Sequence, residues 1–395
     1  MNDLNFFSSK LSLFNDDYEE KKEEIFEKAK PSKILVIGGA GSVGRSVVKQ
    51  LFELRPACLH VIDVNENSLV ELVRDVRSSL GYKTPDFRTF LLDFACAEFD
   101  LFMDGMAPYD YVFNLAAVKH VRSERDKFSL YRILKVNVLA SWNLLKAAEK
   151  HNVSNLFAVS TDKAAEPVNL MGASKRVMER LMMEQELTIR TNASRFANVA
   201  FSDGSLLDGF KNRYDKQQPL SAPSDIKRYF ISSSDAGRLC IISALASNNR
   251  ETLFPNPRSP MRAIPLKDIA FHFLEGRGYE PYICHTEEEA RKISSTIIPR
   301  GKWPLYLFET NTSGEKEVEQ FIAADEVPNL DSFRDIGVLK HPLSLDSETA
   351  QEFLRACTKI ADGRQFEKSD FVELFKIMLP TFSHLDNGQN LDSRM

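Results

Sequence analysis

Ile34-Leu35-Val36-Ile37-Gly38-Gly39-Ala40-Gly41-Ser42-Val43-Gly44 joins a four-residue apolar run to a cluster of glycines. A helical pattern follows over 43–55. The run satisfies G-x-G-x-x-G as Gly39, Gly41 and Gly44, and G-x-x-G-x-x-G as Gly38, Gly41 and Gly44. Glycines are required where the backbone turns tightly and approaches a pyrophosphate whose charge sits at a helix N-terminus. Alone the pattern is weak. Its position between strand and helix, with Asp63 closing the next apolar run 19 residues after Gly44, makes it a dinucleotide-binding signature. Gly38, Gly41, Ser42, Val43 and Gly44 are the expected cofactor contacts. An acid at Asp63 hydrogen-bonds a ribose 2′-hydroxyl and repels a 2′-phosphate, so NAD is favoured, with NADP the runner-up because Arg45 or Lys49 could meet a phosphate.

Working outward, short apolar runs alternate with helical patterns from residue 33 to about 196, as in a parallel sheet with crossover helices. Strands are expected at 33–38, 58–63, 87–93, 111–115, 156–160 and 191–196. Helices are expected at 43–55, 68–80, 130–151 and 172–186. The fold class is α/β, a Rossmann-type doubly wound parallel sheet with a smaller C-terminal substrate-binding lobe. The expected division is a helical arm at 1–30, an NAD(P)-binding Rossmann domain at 31–200, a substrate lobe at 201–350 that can interleave with it, and a C-terminal helix (370–379) and tail within 351–395. The charged run 16–30 should be helical, packed on the body or bridging to another subunit.

Composition bounds the class. The 395 residues are 27% charged and 43% hydrophobic with net charge −5, ordinary globular values that give no footing for nucleic acid. Five scattered cysteines without a C-x-x-C pair favour reduced thiols over disulfides or zinc. No apolar run approaches the roughly 18 residues of a membrane span, and the N-terminus carries no signal pattern, so the expected location is cytoplasmic.

Asp93, ending the third run, is expected to face the adenine. Ala116 and Ala117, following the fourth, leave room for the nicotinamide ribose. Lys119 and His120 come next, at the strand end where open α/β sheets bind ligands. Lys119 is the better ligand-facing cation, and His120 has an equally good role as a structural histidine. After the fifth run, Thr161, Asp162 and Lys163 place a hydroxyl, a carboxylate and an amine side by side. Lys175 lies twelve positions beyond Lys163 and four after Met171.

The chain resembles the extended short-chain dehydrogenase/reductases, and within them the UDP-N-acetylglucosamine 4,6-dehydratases of polysaccharide biosynthesis. Four blocks carry the resemblance: residues 38–44, Ala116-Ala117-Val118-Lys119-His120-Val121, the S-T-D-K-A block at 160–164 with M-G-A-S-K at 171–175, and R-F-A-N-V at 195–199 with S-D-G-S at 202–205. Fainter echoes lie at 227–231 and 313–316. In the dehydrogenases at large, the spacing of Met171 and Lys175 belongs to Tyr-x-x-x-Lys. Methionine in the tyrosine position is typical of one branch of these dehydratases.

The resemblance implies an internal redox cycle: NAD, tightly bound, takes hydride from C4 of a UDP-linked amino sugar, water leaves across C5–C6, and hydride returns to C6. It assigns Lys163 as the C5 base, Asp162 as the acid at O6, Thr161 as the partner of O4, and Lys175 as the holder of the nicotinamide ribose. A lysine base needs a lowered pKa, which burial and the nearby Lys175 would supply. Asn137 is expected to bond backbone near the catalytic strand. Asn198, Ser205, Arg228 and Arg262 are candidate contacts to the nucleotide diphosphate, joined by Lys119 on the substrate side. The resemblance also implies pairing through the helices at 130–151 and 172–186, whose surplus apolar residues include Leu139, Trp142, Leu181 and Met182, hence a homodimer or larger assembly. Other readings stay open: another sugar-nucleotide 4,6-dehydratase with a different nucleotide or hexose, a sugar-nucleotide epimerase or reductase, expected to keep tyrosine at 171, and a non-catalytic NAD(P)-binding sensor.

Overall fold

Alternation within the first strand fixes the layers. In the computed structural model, which describes residues 12–184, 187–310, 314, 316–340, 347–363 and 366–385, β1 (Lys33–Ile37) sends Ile34 and Val36 into one apolar cluster and Leu35 and Ile37 into another. A strand whose two faces are both apolar belongs in the middle of a covered sheet. Parallel strands β2 (Cys58–Asp63), β3 (Asp86–Leu91), β4 (Tyr111–Asn114), β5 (Asn155–Thr161) and β6 (Arg190–Phe196) complete the first part of that sheet in the order β3-β2-β1-β4-β5-β6. Three later strands extend it. Glu251–Pro255 pairs parallel with β6, Ile336–Lys340 pairs antiparallel with Glu251–Pro255, and Pro328–Asn329 forms the short edge. This is the doubly wound α/β arrangement expected, and strand order reverses between β1 and β4, where ligand crevices form.

On one face lie α1 (Asn15–Ala29), α2 (Ser42–Glu53), α3 (Glu66–Leu80) and the helix Ser233–Leu245. The charged run near the N-terminus is helical and is stitched to its own chain. The buried Asp17 carboxylate accepts the backbone N–H groups of Arg334 and Asp335 at 2.7 and 2.9 Å, and Leu13 donates to Asp235. Residues 1–11 of the expected arm lie outside the described residues. On the other face lie α4 (Glu98–Met106), a short helix with no counterpart in the sequence expectation, then α5 (Lys127–Ile133), α6 (Ser141–Lys150) and α7 (Leu170–Met182). The helix expected over 130–151 is one continuous rod in which Leu134–Ala140 is wound as a π-turn between α5 and α6.

The expected pairing face is already covered. Helices Ser347–Asp362 and Lys368–Met378 pack on α5 to α7, burying Leu130, Ile133, Leu134, Val177 and Leu181 against Phe353, Phe371, Leu374 and Phe375. Leu139 and Trp142 border the same cluster, and Met182 points into the sheet-side core. The surplus apolar residues on these helices are thus satisfied within one chain, so they give no reason for a second subunit at this face. A separate apolar cluster gathers Leu207, Phe210, Leu220, Ile269, Phe273, Trp303 and Leu305 into the lobe beyond residue 200. Cys58, Cys240, Cys284 and Cys357 are buried, Cys96 is exposed, and all five thiols are free. Among the described residues no helix is long and apolar enough to cross a membrane.

Candidate functional site

The glycine loop lies on the crevice. Gly38 has φ +73°, and a Cβ there would sit 2.8 Å from the backbone nitrogen of Ala116, so the loop rides directly on the segment leaving β4. A Cβ on Gly44 would meet the Gly38 carbonyl oxygen at 2.3 Å, whereas one on Gly41 meets nothing closer than 3.6 Å. Gly44 is therefore fixed by loop–helix packing, and Gly41 faces open space where a ligand can approach. Helix α3 is capped by Asn65, α5 by Asp126 and α7 by Asn169. Gly41 at the N-cap of α2 has no side chain to offer, and no acid stands in the first turn. Its leading N–H groups are the orphan donors that a pyrophosphate would take. Asp63 stands beside them, accepting the Ala40 N–H at 3.0 Å and the Asn65 N–H at 3.0 Å. These residues fit a dinucleotide. Asp93, two residues past the end of β3, pairs with Arg132 at 2.8 Å.

Ala116 and Ala117 are half-buried, and Lys119 and His120 are exposed at the crevice mouth. The turn at 202–205 closes this rim. Asp203 donates its N–H to the Ser42 hydroxyl and pairs with Arg45, while a Cβ on Gly204 would come within 3.0 Å of the His120 ring. Asn137, in the π-turn, receives the Val118 N–H and donates to the Val118 carbonyl, each at 2.9 Å, and donates also to Ser174 on α7. The extra residue of a π-turn aims one side chain out of the regular helical row. Here it binds the segment after β4 to the helix bearing Lys175.

β5 delivers the triplet Thr161, Asp162 and Lys163. Thr161 ends the strand, and a 3₁₀ turn over Asp162–Ala164 follows. The Thr161 hydroxyl donates to Asp162 Oδ1 at 2.9 Å, and Lys163 Nζ donates to the same oxygen at 3.1 Å. Asp162 is 3% exposed, and its other oxygen, like the Ser160 hydroxyl, has no hydrogen-bond partner among the described residues. A Cβ on Gly172 would lie 2.5 Å from the Lys163 carbonyl, so the M-G-A-S-K block needs its glycine for α7 to rest on this turn.

Lys175 is buried, and burial lowers its ammonium to about 8, only partly offset by Glu179. Lys163 behaves in the opposite sense to the expectation. Burial alone would depress it, but Asp162 and Glu319 outweigh that and hold it above the ordinary lysine range. Met171 does not face the triplet's polar groups: it is buried in the apolar cluster shared with the C-terminal helices, and its N–H is taken by Glu124 at 2.8 Å.

Several groups at the site escaped the sequence. Glu319 is 3% exposed and lies 3.7 Å from Lys163 Nζ. Burial lifts it above the usual carboxylate range despite the pull of Lys163. Behind α7, Arg195 is fully buried and donates to both oxygens of Glu179 at 3.0 and 2.7 Å and of Glu326 at 2.6 and 2.7 Å. Arg176 joins the same carboxylates. Glu124 grips His384 with its second oxygen at 3.1 Å. An isolated acid in a polar stretch carries no periodic signal, and only the fold reveals its burial.

On the proposed substrate side, Asn198 donates to the Tyr229 carbonyl and Ser205 caps the helix Leu206–Asp215. Arg228 is buried, with one guanidinium nitrogen donating to the carbonyls of Lys227, Lys316 and Glu317, and Arg262 is exposed. Residues 313 and 315 of the last sequence block lie outside the described residues.

A model of the polysaccharide biosynthesis protein family matches residues 34–338. The chain belongs to that family. An uncharacterized membrane protein of Methanocaldococcus jannaschii is 30% identical over 324 residues, covering 80% of this chain and 88% of the relative. The probable polysaccharide biosynthesis protein EpsC of Bacillus subtilis and the capsular polysaccharide biosynthesis protein CapD of Staphylococcus aureus are each 28% identical, over 65% and 59% of this chain. The match spans only 42% and 39% of those two longer family members. Among solved structures, Pen from Bacillus thuringiensis aligns over 80% of this chain and 90% of its own, with TM-score 0.65 and 22% identity. The dTDP-glucose 4,6-dehydratase DesIV from Streptomyces venezuelae aligns over 74% and 88%, with TM-score 0.57 and 17% identity. These likenesses bear out the extended short-chain dehydrogenase/reductase fold.

Proposed function

We propose that this chain is a sugar-nucleotide 4,6-dehydratase acting on UDP-N-acetylglucosamine, with NAD as its cofactor, in surface polysaccharide biosynthesis in the cytoplasm. The observation that carries the proposal is the Thr161–Asp162–Lys163 triplet, hydrogen-bonded into one unit at the carboxyl end of β5. A nicotinamide dinucleotide on the α2 N-terminus would supply the oxidation at C4 and the matching reduction at C6. Gly38, Gly41, Ser42, Val43 and Gly44 would hold its pyrophosphate, Asp63 its ribose, and Lys175 the nicotinamide ribose.

The remaining chemistry belongs to side chains. Thr161 is suited to hydrogen-bond O4, and its hydroxyl passes directly to the Asp162 carboxylate, which gives the O4 proton a destination although Met171 carries none. Asp162 can then deliver that proton to the C6 oxygen as water leaves. Lys163 removes the C5 proton once C4 is a ketone.

Relatives among the epimerases keep a second reading in view, since a UDP-glucose 4-epimerase of Rickettsia rickettsii is 26% identical over 76% of this chain. The buried Met171 counts against it, because an epimerase of this fold would be expected to keep a tyrosine at that position. Incubation with UDP-N-acetylglucosamine, followed by mass spectrometry, decides the matter. Loss of one water supports the dehydratase, an isomer of unchanged mass supports the epimerase, and binding without turnover supports a sensor. Lys163→Met should lose C5–deuterium exchange and turnover by roughly 10²–10⁴-fold, the usual worth of a positioned acid–base group. Asp162→Asn should keep exchange but fail to release water.

A further inference from the structure

We infer that His384, in the C-terminal tail, is a positioning residue: acting through Glu124 it sets the start of α7, and with it the seat of Lys163. The observation behind this is a pair of hydrogen bonds relayed through one buried carboxylate. Glu124 lies in the 3₁₀ turn Val121–Arg125, directly after the crevice residues Lys119 and His120. Its Oε1 accepts the Met171 N–H at 2.8 Å, and its Oε2 meets His384 Nε2 at 3.1 Å. An ionised carboxylate only accepts, so the imidazole donates from Nε2. The side chains of His384 and Glu124 are 7% and 8% exposed.

The tail is brought there by its own packing. Leu379 and Phe382 are buried in the apolar cluster over α5 to α7, and Leu385 donates its N–H to the Val168 carbonyl at 2.9 Å. His384 is thereby pinned between two anchored neighbours, 260 positions from its partner.

The link to the site runs through the start of α7. The first N–H groups of a helix have no partner inside it, and a negative group is favoured there. In α7 the Asn169 side chain takes the Gly172 N–H at 2.7 Å, and Glu124 takes that of Met171. Gly172 is also the residue whose Cβ would lie 2.5 Å from the Lys163 carbonyl. The start of α7 and the turn bearing Lys163 therefore rest on each other without slack, and Lys175 stands one helical turn further on. A shift at Met171 is passed to both lysines. Misplacing a reacting group by about 1 Å costs on the order of 100-fold in rate.

The effect on turnover rests on the dehydratase reading above, but the anchoring of α7 does not, and the test separates the two. His384→Ala removes the donor and leaves one oxygen of a buried carboxylate bare. Hydrogen–deuterium exchange of the peptide spanning residues 164–174, read by mass spectrometry, should quicken by at least about tenfold. With UDP-N-acetylglucosamine, kcat should fall by about 10–100-fold, while KM, set by nucleotide contacts in the second lobe, stays near wild type. His384→Gln returns an N–H to the place of Nε2 and should restore both slow exchange and kcat. Thermal melting shows that each variant is folded.

Wild-type exchange or wild-type kcat in His384→Ala overturns the inference, as when water fills the place of the imidazole and holds Glu124 still. So does a loss that glutamine fails to restore, which marks general loosening of the C-terminal cover. Absence of product in wild type, with the exchange difference intact, overturns the substrate reading instead.

Discussion

Replacing Glu326 by glutamine removes one arm of the buried cluster that ties α7 to β6. The carboxylate is 9% exposed at its side chain and receives both terminal nitrogens of Arg195. Burial opposes its ionisation, yet the Arg195 hydrogen bonds and charge bring it from 4.5 down to about 2. That displacement of about 2.5 pH units is worth about 3 kcal/mol at 1.36 kcal/mol per unit. The folded pKa is the lower one, so this stability is fully present above about pH 4.5 and drains away as pH falls through about 2.

Glu326→Gln should therefore lower the unfolding free energy by about 3 kcal/mol near pH 7, and by only about 1 kcal/mol near pH 3. Guanidinium denaturation of both proteins at the two pH values measures this directly. A gap below about 1 kcal/mol near neutrality, or one that does not narrow in acid, would refute the claim that Arg195 holds an ionised Glu326.

Gly44→Ala forces a methyl against the Gly38 carbonyl and should abolish NAD binding by calorimetry while the C-terminal helices stay folded by circular dichroism. Asp63→Ala combined with a neighbouring basic substitution should shift preference towards NADP in a binding titration, and native protein carrying tightly bound NADP would contradict it. Phe375→Asp sets a charge inside the cluster that covers α5 to α7, and should expose that face, seen as added mass by light scattering together with loss of several kcal/mol of stability. Methionine 171 replaced by tyrosine should destabilise by about 1–3 kcal/mol without gain in turnover, because the ring enters an apolar cluster.

Of the first six strands, β1, β2, β4 and β5 were legible as short apolar runs, and the glycine loop because only glycine fits at positions 38 and 44. Asn137 was legible as a backbone anchor for the same site. The protonation of Lys163 was not, because it depends on Glu319, an acid 156 positions away whose burial no local pattern announces. The two-residue strands beyond residue 197, such as Asn198–Val199 with Phe230–Ile231, are too short to show any period. The helices at 130–151 and 172–186 were correctly read as apolar on more than one side. What covers them was invisible, since a helix face records that it is buried but not by whom.

The central sheet closes late. Its β6 edge is completed by Glu251–Pro255, and that strand in turn by Ile336–Lys340, while the segment between the last two carries Glu319 and Glu326. A chain emerging from the ribosome therefore holds the whole Thr161–Asp162–Lys163 triplet long before it holds the acid facing Lys163 or the carboxylate clamping Arg195. Loop closure over such sequence distances is slow. During synthesis the β6 edge would stay uncovered until Glu251–Pro255 arrives, the point at which a chaperone would find the most to hold.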